Sequence, residues 1–313
     1  MTDILSLKIR VSYGSAIKAS LINAKQDVEP GVAYLLYDEG CLGRCSFCSR
    51  AHGNKKSEKL SRVLWPEFPL GQVVEALKKS DFGRICLQTA FNPAKEPVAE
   101  QIALELLKIG VPVSMTMTCS QTDFALNMLA AGLDHVGIGL DGASKETYEL
   151  HKRRNWDKDT ESLFRLLSKA PGKIEVHMIF GLGDSEETFA RMVQSLHDKG
   201  AFVALFALTP VNESQVQPSL APYRRMQLFR YLSEKKVLTF SDCRFENGKL
   251  VSFGISSEKI LREADNGDAF RTSGCKMCNR PFYNERPGGL MFNFPRPLSE
   301  EEFSLALKET SKL

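Results

Sequence analysis

The sequence predicts an α/β fold: a partial (β/α)6 TIM-type barrel followed by a C-terminal extension. From Gly31 to about Thr209, short apolar, β-rich runs alternate with longer stretches whose apolar residues recur three and four apart, the pattern of βα units around a parallel sheet. Gly110, Gly132, Gly172 and Gly200 sit where helices should stop before the next strand. At 313 residues the chain is long enough for one large barrel or two modest domains.

Taken in order, residues 1–30 read as a leading extension with one helical piece at 15–25. The barrel is placed at 31–240. Its strands are expected at 33–37, 84–89, 111–118, 135–140, 173–180 and 202–208, each a short apolar run. Helices are expected between them, as at 71–80, 99–109 and 121–131. Six such units imply a parallel sheet with right-handed crossovers. After Thr209 the pattern changes. Residues 221–236 read as an amphipathic helix, and 237–254 as strand, turn and strand, with Glu246-Asn247-Gly248 as the turn. The extension, 241–313, ends in a tail rich in Gly, Pro, Arg and aromatics.

The chemistry concentrates in CLGRCSFC. Cys41, Cys45 and Cys48 lie in one short loop after the apolar run VAYLLY, hence at a strand's carboxyl end, where α/β barrels keep their active sites. Three thiolates can hold three irons of one [4Fe–4S] cluster and leave the fourth iron open. A zinc knuckle is the alternative. Zinc sites usually pair cysteines as CxxC or add histidine, and His52 is the histidine close by.

A second CxxC, Cys275 and Cys278, stands in the tail, with Cys243 in FSDCRF the best placed additional thiol. Two or three thiolates plus one other donor would hold a second iron–sulfur cluster, with Ser241, Arg271, Ser273 and Arg280 as local candidates. A zinc site or a reduced, merely packed CxxC are the other readings. Cys86 and Cys119 lie in or just after strands and read as packed thiols, Cys86 in the core or a substrate pocket. Glu285 and Arg286 in NERPGG place two charges beside this second site.

The first loop resembles the signature of the radical S-adenosylmethionine (SAM) superfamily, CxxxCxxC with an aromatic before the last cysteine, here Phe47. The resemblance implies that SAM chelates the open iron and is cleaved to a 5′-deoxyadenosyl radical, with Phe47 against the adenine. It also implies that Asp141 bonds the ribose, although an Asp there would equally cap a helix. Gln88 and Thr89 would bind the methionyl amine, and Gly181 and Gly183 would bring the backbone beside adenine. Arg153 and Arg154 in HKRRN are candidates for the carboxylate of SAM or of a substrate acid, with a solvated helix face as the other reading. Asp184, Ser185, Glu186 and Glu187 read as the first turn of a helix. RICLQTAFNP resembles a biotin-synthase strand that carries a ligand of a second cluster, but Thr116 and Glu175 stand where two further ligands would be. The core resembles the biotin-synthase-like branch, and CNRPFYNERPGG resembles more narrowly the two-chain lipoyl synthases. That implies sulfur insertion into an octanoyl chain on a lipoyl-carrier protein, a homologous radical SAM partner subunit, a low-potential electron donor, and the second cluster as sulfur donor. The second three-cysteine motif and the serine-rich terminal motif of the single-chain lipoyl synthases are not found. The alternatives are a mutase or cofactor-maturation enzyme acting on a small molecule, and a non-catalytic iron–sulfur or zinc module.

A formal net charge of +3 gives no reason to expect nucleic acid or membrane as a partner. The N-terminus shows no signal-peptide pattern, and eight cysteines without an extracellular context point to metal work in the cytoplasm.

Overall fold

The computed structural model describes residues 3–53, 58–285 and 288–310. Strand β1 (Lys8–Val11) and helix α1 (Tyr13–Lys18) precede β2 (Val32–Tyr37). The connection that follows carries β3 (Lys59–Leu60), β4 (Val63–Leu64) and β5 (Glu67–Pro69), then α2 (Leu70–Lys78). Next come β6 (Arg84–Thr89), α3 (Glu96–Leu107), β7 (Val113–Thr118), α4 (Thr122–Ala130) and β8 (His135–Asp141). After α5 (Lys145–Lys152) and α6 (Trp156–Lys169), the chain forms β9 (Ile174–Phe180), α7 (Glu186–Asp198) and β10 (Phe202–Ala207). It ends with α8 (Leu220–Glu234), the hairpin β11 (Arg244–Glu246) and β12 (Lys249–Ser252), α9 (Ser257–Ala264) and α10 (Glu300–Glu309).

The main sheet runs β10-β9-β8-β7-β6-β2-β1-β5. β2 and β6 to β10 are mutually parallel, which is the expected (β/α)6 half-barrel. β1 and β5 extend it antiparallel beyond β2. Alternation along β2 shows how the barrel is built. Ala33, Leu35 and Tyr37 join the large core beneath the helices. Val32, Tyr34 and Leu36 face the other way, into a smaller cluster with Cys86 and Trp65.

The N-terminal segment corrects two expectations. The helix there is Tyr13–Lys18, capped by the Ser12 side chain, instead of 15–25. Residues 8–11 are a strand, and Leu7, Ile9 and Val11 already alternated in the sequence as a half-buried strand requires. In the 237–254 segment the turn is where it was expected, with Asn247 at φ 49 and Gly248 at φ 75, the two left-handed residues of a type I′ hairpin. The first expected strand is shorter, because Phe240–Asp242 form a 3-10 turn capped by Thr239.

Helix α8 is buried almost all round, from Tyr223 to Ser233, so it is not a surface amphipathic helix. α7 and β10 cover one side, and the tail covers the other. Arg224 donates to the carbonyls of Met291 and Phe292 and pairs with Glu309 at 3.0 Å. Arg225 forks onto Glu186 at 2.6 and 2.7 Å, a bidentate geometry that satisfies both charges. Glu186 is therefore a buried ion-pair partner as well as a first-turn acid. The tail and α8 together cover the outer edge of β10. Ser273 accepts from Leu205 N–H at 2.8 Å, Tyr223 donates to Leu205 O, and Asn284 donates to Ala207 O. Among the described residues, no helix is long and apolar enough to cross a membrane.

Candidate functional site

The loop after β2 gathers Cys41, Cys45 and Cys48 at the carboxyl end of the parallel strands. It is fastened to its neighbours. Leu42 N–H donates to Phe91 O, Ser46 N–H to His151 O, and the Ser46 hydroxyl pairs with His151 Nδ1 at 2.8 Å. Gln215 reaches Ser46 O from beyond β10 at 3.0 Å. A Cβ added at Gly43 would stand 3.4 Å from Cys41 Sγ and 3.8 Å from Cys45 Sγ, so the loop wraps round its own thiols. Burial raises the Cys45 thiol and pushes Cys48 up to about 12. Such thiols become thiolates when metal displaces their protons. Among the described residues no three His, Cys, Asp or Glu side chains close on a single-ion site. Three thiols are the donor set for three irons of a [4Fe–4S] cluster, one sulfur ligand to each.

Asp141 ends β8 at φ 68. This left-handed backbone turns its carboxylate into the barrel mouth, where it lines a cavity with Phe47 and Cys48. The helix N-cap is Ser144, which leaves Asp141 free for the site. Its carboxylate is held by Lys152, which also donates to Gly139 O. Burial opposes the Lys152 charge, but Asp141, Cys45 and Cys119 outweigh it and hold its pKa above the ordinary value. Arg153 was the expected anion contact, and the structure corrects this. It is exposed, the left-handed C-cap of α5 at φ 56, while Lys152 and Arg154 turn inward. Arg154 pairs with buried Asp159.

Gln88 is buried and lines two cavities. Thr89 does not join it. Its hydroxyl donates to Thr116 O at 2.6 Å, locking β6 to β7 on the outer side. Gly181 and Gly183, at φ 108 and 125, need glycine's freedom for the turn after β9. Asp184 then accepts from Ala143 N–H at 2.8 Å, joining this turn to the one after β8.

One cavity of about 180 Å³ lies within the barrel, between Phe47, Cys48 and Asp141 on the loop side and Thr116, His177, Arg280 and Tyr283 beneath. A larger one, about 730 Å³, runs from Tyr13, Lys25 and Trp65 to Gln88 and Arg280. The tail's CxxC folds back under these cavities. Cys278 N–H donates to Cys275 O, and Cys278 Sγ lies 3.6 Å from the Tyr34 hydroxyl.

Cys243 is not with them. Its thiol turns to the carbonyls of Thr239 and Phe253 in the β11–β12 hairpin. Ser273 is occupied at the β10 edge, Arg271 pairs with Asp268, and Ser241 bonds Thr239. Of the four expected non-thiolate donors, Arg280 is the one whose charge acts on a CxxC thiol, favouring the Cys278 thiolate. Glu285 is a buried hub that accepts from Asn284 and Asn293 N–H, which binds the tail to itself. Arg286 lies outside the described residues.

A half-barrel with a three-cysteine loop at its carboxyl mouth and a carboxylate on the fourth parallel strand is the architecture of a radical SAM enzyme, and the chain belongs to that superfamily, whose family model matches residues 37–196. Curated relatives include Biotin synthase 2 of Paracoccus denitrificans, 25% identical over 161 residues, covering 50% of this chain and 49% of the relative. Biotin synthase of Buchnera aphidicola subsp. Schizaphis graminum is 26% identical over 162 residues, 50% and 46% of the two chains. The chain thus spans about half the length of the curated relatives it matches. Among solved structures, a maturase of the [FeFe]-hydrogenase aligns with a TM-score of 0.53 at 13% identity, covering 65% of this chain and 50% of that one. Methylornithine synthase aligns at 0.52 and 13%, covering 65% and 62%. Both share the fold.

Lys152 is the site residue that the sequence reading missed. It lies four residues after buried Tyr148 and so on the inward face of α5, a helical-phase signal available in ETYELHKRR.

Proposed function

We propose that this chain is a sulfur-inserting radical SAM subunit of the two-chain lipoyl-synthase type, acting on an octanoyl chain carried by a lipoyl-carrier protein beside a homologous partner subunit. The reading is supported by one cavity that both Cys48 of the three-cysteine loop and Arg280 line, Arg280 being the guanidinium whose charge acts on the CxxC thiol Cys278.

Held by Cys41, Cys45 and Cys48, the first cluster would supply the electron for reductive cleavage of SAM, and a second cluster at Cys275 and Cys278 would supply sulfide. The protein's part is positional. Phe47 and Gln88 line the space for SAM, and Lys152 fixes Asp141 there for a ribose. From the folded-back tail, Arg280 and Tyr283 form part of the cavity wall, which would hold the substrate carbon close to a short-lived radical. The larger cavity, about 730 Å³ and lined by residues from Tyr13 to Gln88, has the volume of a typical ligand site, about 300–1,000 Å³, and would take an acyl-lysine arm.

The test is anaerobic incubation of the reduced, reconstituted protein with SAM, an electron donor and an octanoyl-lysine peptide, with and without the homologous partner chain. Mass spectrometry should find one or two added sulfurs, and 5′-deoxyadenosine should form. Deoxyadenosine without added sulfur under any pairing would remove the lipoyl assignment and leave a radical SAM enzyme of another substrate.

A further inference from the structure

We propose that the third thiolate of the second iron–sulfur site is Cys86, so that Cys86, Cys275 and Cys278 enclose one multi-iron centre inside the barrel, with Arg280 as its charge partner. The proposal rests on the reading of a second cluster given above and changes where that cluster sits: in the lower barrel, and not between the tail and Cys243.

Cys86 lies on the inward face of β6, level with Tyr34 on β2 and Ser114 on β7. Tyr34 is the meeting point. Its hydroxyl accepts from Asn279 N–H and Arg280 N–H at 3.1 and 2.9 Å and lies 3.6 Å from Cys278 Sγ. Cys278 packs against the apolar cluster that holds Cys86 and Tyr34. Each of the three thiols has the other two or their shared Arg280 among its charged neighbours, together with Glu175.

The tail is cut to dock there. Asn279 accepts from Gly31 N–H and donates to Glu29 O at the foot of β2. Met277 fills the space over Gly83, where a Cβ would approach its Sδ to 2.5 Å. Gly274 passes the Glu175 carboxylate at φ 134, and a Cβ there would stand 3.1 Å from Oε2. Sequence-distant glycines thus admit the CxxC turn beneath the strands.

Two buried polar atoms beside the thiols have no hydrogen-bond partner: Glu175 Oε2 and Arg280 Nε. Their residues are 4% and 8% exposed. Unpartnered buried polar groups are rare and call for an occupant. Three thiolates and a carboxylate, against the Arg280 guanidinium and the His177 ring bonded to Glu175 Oε1 at 2.7 Å, would leave excess buried negative charge, which multivalent iron neutralises. Glu175 and Arg280 are the groups placed to complete the ligand set or the charge balance. The set needs no fourth cysteine from the hairpin, whose Cys243 thiol is already engaged.

The test isolates the second centre. In full-length protein with Cys41→Ala, Cys45→Ala and Cys48→Ala, reconstituted anaerobically, iron, acid-labile sulfide and zinc are counted, and the reduced protein is examined by electron paramagnetic resonance. Residual iron and sulfide should remain. Adding Cys86→Ala or Cys86→Ser should lower them by about tenfold or more, since even second-shell losses reduce metal affinity about tenfold. Adding Cys243→Ala, or Cys119→Ala as another buried-thiol control, should leave them unchanged, with circular dichroism reporting the fold of each. Residual iron that survives both Cys86 substitutions, or disappears with Cys243→Ala, would overturn the assignment of Cys86. Zinc without sulfide would overturn the cluster at this site. No residual metal in the triple variant would instead remove the second-cluster reading on which the proposal stands.

Discussion

Removing the Lys152 ammonium is the sharpest test of how the Asp141 carboxylate at the barrel mouth is held. The Lys152 and Asp141 side chains are 5% and 13% exposed and form an ion pair. Lys152→Met keeps most of the aliphatic stem and its packing but leaves Asp141 and Gly139 O without their donor. A hydrogen bond to a charged group contributes about 1.5–3 kcal/mol, and breaking one partner from a buried pair costs about 3–5 kcal/mol in all. Urea unfolding of the reduced, metal-free chain should therefore show a loss in that range at unchanged m-value. Asp141→Asn in the same background supplies the cycle. Once the carboxylate is gone the missing ammonium matters less, so the double variant should be more stable than the summed single losses allow, by about 2 kcal/mol, within the span of contacting residues. A Lys152→Met loss under about 1 kcal/mol, or single effects that simply add, would refute the claim that this pair fixes the barrel mouth.

Burial and Arg230 push the His197 pKa down to about 4 from 6.5. Between those values the unfolded chain binds a proton that the folded chain refuses. Stability should fall as pH drops through that window, by about 3 kcal/mol in full, and His197→Gln should flatten the pH dependence of the urea midpoint between 4 and 6.5. An unchanged slope would contradict it. Gly274→Ala places a Cβ against the Glu175 carboxylate at a left-handed backbone position. It should cost about 1–3 kcal/mol and reduce the iron retained by the triple-alanine protein, whereas undiminished iron would show that the CxxC docks without this close passage.

The barrel was legible because its strands are buried on both faces and read as apolar runs: the strand expected at 33–37 is Val32–Tyr37, one residue longer, and RICLQT became Arg84–Thr89 without change. The 111–118 strand lost its first two residues because Pro112 lacks an N–H and offers only its carbonyl, to Ile85. The three-cysteine loop was legible because its chemistry is local. The packing of the tail's CxxC against the cluster that holds Cys86 was not, since Cys275 and Cys278 come from a tail with no periodic pattern. That tail is positioned by buried polar groups on α8, such as Arg224 and Gln227, which as sequence look like an ordinary surface. Choosing Arg153 over Lys152 turned on a single helical step at a C-cap.

The seal along β10 has a consequence for deletion experiments. A shortened chain ending near 270 would bare the amide and carbonyl groups of a long apolar strand, FVALFA, and unpaired edges of that kind recruit other chains. Insolubility in such a fragment would report self-association of the exposed ribbon and would say nothing about whether the missing cysteines held iron.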